Sequence, residues 1–185
     1  VLSAQASVLK RDVISTRDFD KSFADEINRL VENSLIKCMD CGTCSSGCPS
    51  GRRTAMRIRQ LVRLARLGYK PMLSMVDLWM CTTCYRCFDR CPRKVNITDA
   101  IIFIRNKAFK EGYALPKHIK VAQLVIDYGH AVPINNEIRA LRKELGLPEL
   151  PPTVHSFPDA LKEVQKILSI TKFNELANQQ SKFSQ

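Results

Sequence analysis

The chain has 185 residues, 45% of them hydrophobic, enough for one domain with extensions. Its formal charge is +11, which invites comparison with nucleic-acid-binding proteins. The longest apolar stretch, Ile101 to Ile104, falls far short of the roughly 18 residues that a membrane helix needs.

In chain order, residues 1–18 carry no identifying signal and read as an N-terminal extension. Val1 to Ala6 lack a basic stretch followed by an apolar run, so no signal peptide is expected and a cytoplasmic location is the default. Phe19, Phe23, Ile27 and Leu30 recur at helical spacing, and Ser15 followed by Asp18 has the pattern of a capping box before them. A cysteine run follows: Cys38, Cys41, Cys44 and Cys48, then Pro49. Residues 49–80 form the joint to a second run. An amphipathic helix is expected from Arg52 to Leu67, stopped by Gly68. On a helical projection Thr54, Ile58, Leu61, Val62 and Ala65 share one side, and Arg52, Arg59, Arg63 and Arg66 the other. That arginine stripe reads as a solvated face, or as a docking surface for an acidic partner or for a cluster's negative charge.

The second run is Cys81, Cys84, Cys87 and Cys91, then Pro92. Further helices are expected from Thr98 or Asp99 to Gly112, from Pro116 to Gly129, and from Asn135 or Asn136 to Gly146. Leu147 to Pro152 reads as an extended linker, because its prolines disfavour helix. A last helix spans about 157–168, and the tail after Phe173 reads as polar and loose. No period-2 strand is visible, so the chain reads as all-α. Its expected divisions are 1–18, 19–112 for the part bearing both runs, and 113–185 for a C-terminal helical extension.

Both runs spell C-x2-C-x2-C-x3-C-P, and together they use all eight cysteines. Three thiolates at i, i+3 and i+6 can hold three corners of a [4Fe–4S] cube. In two-cluster ferredoxins the fourth cysteine serves the other cluster. The expected ligands are therefore Cys38, Cys41, Cys44 and Cys91 for cluster one, and Cys81, Cys84, Cys87 and Cys48 for cluster two. Eight thiolates and two 2+ clusters would reduce the net charge to about +7. Structural zinc fits poorly, since a triple of cysteines plus a fourth exceeds what one ion needs. Disulfides fit poorly without an oxidising compartment.

His118, His130 and His155 are scattered and read as surface or capping residues. Trp79 and Met80, like Tyr85 and Phe88, read as packing around the second run, where excluding water tunes a cluster's potential. Asp40, Asp89 and Arg90 read as exposed loop charges. No glycine-rich phosphate loop and no nucleophile–base pair is present, so no catalytic residue is expected. The pattern is that of an electron relay without a substrate site of its own.

The segments Cys44 to Ala55, Leu78 to Tyr85, Cys91 to Val95, Gly129 to Asn135 and Glu149 to Thr153 resemble the C subunits of the methanogen heterodisulfide reductases. The likeness runs from about residue 19 to 170. It implies an α-helical ferredoxin fold with two [4Fe–4S] clusters, held at positions that match the eight cysteines. It also implies a cytoplasmic oxidoreductase complex in methanogenesis, in which this chain is a non-catalytic iron–sulfur component. The A subunit of such a complex, a flavoprotein, performs flavin-based electron bifurcation. The C subunit relays electrons to the B subunit, which carries a CCG motif and reduces the mixed disulfide of coenzymes M and B. A hydrogenase or formate dehydrogenase feeds the assembly, with neither nucleic acid nor membrane involved. Two other readings are the iron–sulfur subunit of another anaerobic dehydrogenase or disulfide reductase, and a nucleic-acid-binding module stapled by clusters. The plant-type C-x4-C-x2-C run usual in succinate-type enzymes is missing here.

Overall fold

The computed structural model describes residues 15–178 and 181–184, without the side chains of His155 and Ser184. The signal-peptide reading of the first residues therefore lies outside the described part. Among the described residues the structure is helical, and the sole ladder contact is an isolated antiparallel bridge between Phe19 and Tyr69. They divide into two compact units at Tyr113/Ala114.

In the first unit, α1 (Lys21–Leu30) is capped by Asp20. Its carboxylate accepts from the N–H groups of Ser22 at 2.8 Å and Phe23 at 3.2 Å. The Ser22 hydroxyl and these N–H groups hold the Asp20 carboxyl below its ordinary range. Ser15 instead caps a short 3-10 turn over Thr16–Asp18, so the expected capping box belongs to that turn and not to α1. Two single-turn helices, α2 (Thr43–Ser46) and α4 (Arg86–Asp89), lie inside the cysteine runs and pack on each other. Between them runs α3 (Ile58–Leu67), and after the second run comes α5 (Ile97–Lys110).

The joint helix is shorter than its periodicity suggests. Residues 53–57 form a turn in which Thr54 donates to the Ser50 carbonyl and accepts from the Met56 N–H. One Arg57 guanidinium nitrogen donates to the carbonyls of Gly51, Thr54 and Met56. These side-chain bonds compete with a helical ladder and delay its start to Ile58. Thr54 and Arg52 therefore leave the helical faces assigned to them. Ile58, Leu61, Val62, Leu64 and Ala65 are buried.

The core joins α1, α3 and α5 through Phe23, Ile27, Leu61, Ile101 and Ile104. Leu35 and Leu78 are both fully buried, each three residues before the first cysteine of a run. They anchor the two loops to this core in the same way. Lys107 on α5 pairs with Glu26 on α1 and lies 5.7 Å over the Phe23 ring.

The second unit contains α6 (Pro116–Tyr128), α7 (Asn136–Glu144), α8 (Pro158–Ile170) and α9 (Phe173–Ala177). Asn135 caps α7 by accepting from the Ile138 N–H at 2.9 Å. Helices α6, α8 and α9 pack together, and Gln165 donates to the Ile126 carbonyl at 3.1 Å. The tail is more ordered than its composition suggests. Ala177 and Ser181 are buried, and the Ser181 hydroxyl donates to the Ala114 carbonyl. No residue of α6, α7 or α8 is buried. Leu145, Phe157, Ile167 and Ile170 stand exposed. No helix among the described residues is long and apolar enough to cross a membrane.

Gly68 ends α3 in a left-handed conformation, φ +77°. A Cβ there would lie 2.1 Å from the Asp20 carbonyl oxygen, while the Asp20 N–H donates to the Gly68 carbonyl at 2.8 Å. Gly68→Ala should therefore destabilise the chain by more than about 2 kcal/mol. A denaturant titration showing a loss below about 1 kcal/mol would contradict this tight junction of α1 and α3.

Candidate metal centre

Each cysteine run follows the same path. A buried leucine and a 3-10 turn lead to the first cysteine. Next, the residues on either side of the second cysteine adopt left-handed backbone: Asp40 and Gly42 in one loop, Thr83 and Tyr85 in the other. Glycine takes this conformation freely, but a bulky side chain costs roughly 1–2 kcal/mol. Tyr85 is fastened there by its hydroxyl, which donates to the Asp99 carboxylate at 2.8 Å. That bond raises the Tyr85 pKa. Tyr85 is 42% exposed, so it is a tether at the rim and not the packing residue its sequence position suggests. Phe88 is half-buried, and Trp79 and Met80 pack against the core.

The two runs cross. The Ser50 hydroxyl, just after the first run, donates to the Met80 carbonyl just before the second at 2.6 Å. The buried Ser34 hydroxyl, before the first run, accepts from the Asn96 N–H after the second at 3.1 Å. With α2 against α4, the end of each run meets the start of the other. One cavity is lined by Cys38, Cys41, Cys44 and Cys91. A second is lined by Cys48, Cys81, Cys84 and Cys87. Within each cavity three thiols come from one run and the fourth from the other. Neither His118 nor His130 lines them.

The walls carry donors for anionic sulfur. Backbone N–H groups donate to sulfur from Gly51 to Cys48 at 3.3 Å, from Thr83 to Cys81 at 3.4 Å and from Val95 to Cys91 at 3.4 Å. Hydroxyls of Thr43 and Thr98 lie 3.4 and 3.3 Å from the sulfurs of Cys41 and Cys87. The Thr43 hydroxyl holds the Cys41 thiol below its ordinary pKa. Burial pushes Cys44 up to about 11 and raises Cys87. A buried thiol of this kind becomes a thiolate when a cation supplies the compensating charge. Among the described residues no three His, Cys, Asp or Glu side chains converge to hold a single metal ion. Four soft donors spaced round a cavity, each set supported by N–H groups, suit an iron–sulfur cluster.

Two arginines hold the cysteine loops: Arg66, one member of the stripe, and Arg105, to which the sequence assigned no role. Arg66 on α3 donates to the Cys38 carbonyl at 2.6 Å and pairs with the Asp40 carboxylate at 3.0 Å. Arg105 on α5 donates to the Leu78 carbonyl at 2.8 Å and the Cys81 carbonyl at 2.6 Å. Its guanidinium also lies 5.7 Å from the centre of the Trp79 ring. Each arginine thus grips the backbone of the first cysteine of one run. Arg66 leaves the solvated stripe it shares by periodicity with Arg59 and Arg63, and Asp40 is its partner, not a free loop charge. Asp89 and Arg90 are exposed. The one available signal was internal: the helix after each run carries such an arginine.

Comparison with known proteins agrees with this architecture. Residues 34–95 match the family described as a 4Fe-4S dicluster domain. Fold and site together define the class, a helical iron–sulfur protein of the ferredoxin type. Over 168 residues the chain is 49% identical to the C subunit of the H(2):CoB-CoM heterodisulfide,ferredoxin reductase of Methanothermobacter marburgensis, covering 90% of this chain and 91% of that protein. It is 47% identical to the iron-sulfur C subunit of the CoB–CoM heterodisulfide reductase of Methanopyrus kandleri, covering 89% and 90% of the two chains. Against the C2 subunit of the H(2)/formate:CoB-CoM heterodisulfide,ferredoxin reductase of Methanococcus maripaludis, identity is 44%, with coverage of 89% and 94%. The chain belongs to this C-subunit family, the iron–sulfur subunits of CoB–CoM heterodisulfide reductase.

A half-buried positive charge beside a site that gains negative charge on reduction stabilises the reduced form. In the iron–sulfur-loaded chain, Arg66→Met should lower the potential at the Cys38 side. Arg105→Met should do so at the Cys81 side. Each shift should be about 60 mV, a tenfold change for a one-electron couple, and smaller for lysine replacements. EPR-monitored redox titration tests this, and equal shifts at both sites from either variant would refute site-specific control.

Proposed function

We propose that this chain is a non-catalytic electron relay carrying two [4Fe–4S] clusters. Cluster one is held by Cys38, Cys41, Cys44 and Cys91, and cluster two by Cys81, Cys84, Cys87 and Cys48. The observation that carries the reading is the pair of four-thiol cavities, each drawing three cysteines from one run and one from the other. Such clusters supply one-electron transfer without bond chemistry. The chain's own groups set the conditions for it. N–H donors from Gly51, Thr83 and Val95 disperse charge on sulfur. Apolar neighbours such as Ile58 and Ile97 limit water at the cavity walls. Arg66 and Arg105 hold the loops in register.

In this reading the electrons come from a flavoprotein, the A subunit, that bifurcates them. They leave to the CCG-motif B subunit, which reduces the mixed disulfide of coenzyme M and coenzyme B. The complex is cytoplasmic and is fed by a hydrogenase or a formate dehydrogenase. The names of its relatives support this reading, since they combine hydrogen or formate, ferredoxin and the CoB–CoM heterodisulfide. The second unit exposes several large apolar side chains, among them Leu145, Phe157, Ile167 and Ile170, which fits a place within a larger assembly.

The anaerobically isolated chain should contain about eight iron atoms. Cys48→Ala should abolish the EPR signal of the cluster nested in the second run and spare the other. Cys91→Ala should do the reverse. Loss of the first run's cluster in Cys48→Ala would overturn the crossed ligand sets. Affinity isolation from native cells, read by mass spectrometry, should recover a flavoprotein and a CCG-motif protein. Recovery of a different dehydrogenase instead would withdraw the heterodisulfide pathway.

A further inference from the structure

Beside the first cysteine loop lies an open groove whose wall is formed by α3 and the turn before it. Arg57, Arg59 and Arg63 line it and are exposed. Asp40 is the one acidic residue among its lining residues, and Arg66 already neutralises it at 3.0 Å. Leu67, 47% exposed, adds an apolar edge. The groove shares Asp40, Gly42 and Arg59 with the cavity of Cys38, Cys41, Cys44 and Cys91. It shares no lining residue with the cavity of Cys81, Cys84 and Cys87.

We propose that this groove docks an acidic segment of a redox-partner protein, which makes the Cys38/Cys41/Cys44/Cys91 site the one that exchanges electrons with that partner. The inference rests on the relay reading above and adds the port through which the relay is entered or left. Three features argue for a protein partner with carboxylates. The cations are all arginine, whose planar fork pairs with carboxylates in two bonds and which is enriched at protein interfaces. Arg57 is fixed by three backbone carbonyls, so its charge is already in place before docking. The exposed Leu67 offers apolar surface to a peptide side chain, whereas a nucleic-acid backbone would make little use of it. Each transfer moves one electron between the first four-cysteine site and the partner's flavin or iron–sulfur centre. Whichever donates is oxidised by one as the other is reduced by one. Cys41, an exposed member of the site, stands between Asp40 and Gly42, which line the groove.

The test uses the cluster-loaded chain and the separately purified flavoprotein and CCG-motif proteins of the complex, with affinity measured anaerobically at several salt concentrations. Arg63→Glu, whose side chain lines neither cysteine cavity, should weaken binding to one of these two proteins at least tenfold and flatten its salt dependence. Both cluster EPR signals should persist. Lys117→Glu in α6 serves as a control for net charge and should leave that affinity unchanged. In freeze-quench mixing with that protein, prereduced where it is the donor, the first site should change oxidation state before the second. Unchanged affinity of Arg63→Glu for both proteins would overturn the inference, as would an equal loss with Lys117→Glu. So would prior reaction at the second site, or a loss confined to binding of random duplex DNA. If Arg63→Glu loses a cluster signal, Arg63→Gln takes its place under the same criteria. Failure of either protein to exchange electrons with the wild-type chain would instead remove the relay reading itself.

Discussion

The structure of the first unit depends on the mutual crossing of two cysteine loops. Neither loop closes a four-thiol cavity by itself, since each cavity takes its fourth thiol from the other run. The crossing is secured at both ends by side-chain-to-backbone hydrogen bonds, Ser50 to Met80 and Asn96 to Ser34. The second of these involves a hydroxyl whose residue is only 3% exposed. Buried bonds of this kind are costly to leave unmade, so they specify register as well as adding stability. Around the crossing, α1, α3 and α5 act as a brace, with Leu35 and Leu78 fixing the entry of each loop.

Charge is distributed by function within this unit. Arg66 and Arg105 turn inward and spend their donors on the carbonyls of Cys38 and Cys81. Arg57, Arg59 and Arg63 are exposed, although Arg57 also donates to the carbonyls of Gly51, Thr54 and Met56. A high formal charge thus resolves into two populations. One holds loops that would carry anionic sulfur, and the other gives a positive face to the groove beside the first loop. Both cysteine loops also store backbone strain. Thr83 and Tyr85 occupy left-handed conformations that aspartate and glycine fill in the first loop, and such strain persists where surrounding contacts over-determine it. The Tyr85–Asp99 bond is one of those contacts.

The second unit is built differently. Its helices α6, α7 and α8 contain no buried residue, and its surface shows several large apolar side chains. Its ordering relies on local caps and a few cross-links, such as Gln165 to Ile126 and Ser181 to Ala114. A core so thin leaves apolar area available to another surface, which accords with membership of a family named as subunits.

Much of the helical layout was legible in the residues. The ends of α3 and α6 and the start of α7 follow from Gly68, Gly129 and the Asn135 cap, because glycine in left-handed conformation and a side-chain acceptor act locally. The doubled run of cysteines, its iron–sulfur character and the all-α class were equally visible, since they depend on spacing and residue type. Other features depended on contacts beyond the reach of periodicity. A helical repeat carried the joint helix back to Arg52, but bonds from Thr54 and Arg57 to the preceding turn hold its start at Ile58. Ser15 had the right spacing for a helix cap, yet Asp20 is the residue whose carboxylate meets the first free N–H groups of α1. The inward turn of Arg66 and the tether on Tyr85 needed partners 26 and 14 residues away. The packing of the tail needed Ala114, 67 residues before Ser181. The sequence by itself determined which residues are cysteine donors and where most helices stop, because those are short-range properties of the chain. Tertiary structure alone decided which arginines grip a loop and which line the groove, because that depends on how α3 and α5 pack against the cysteine loops.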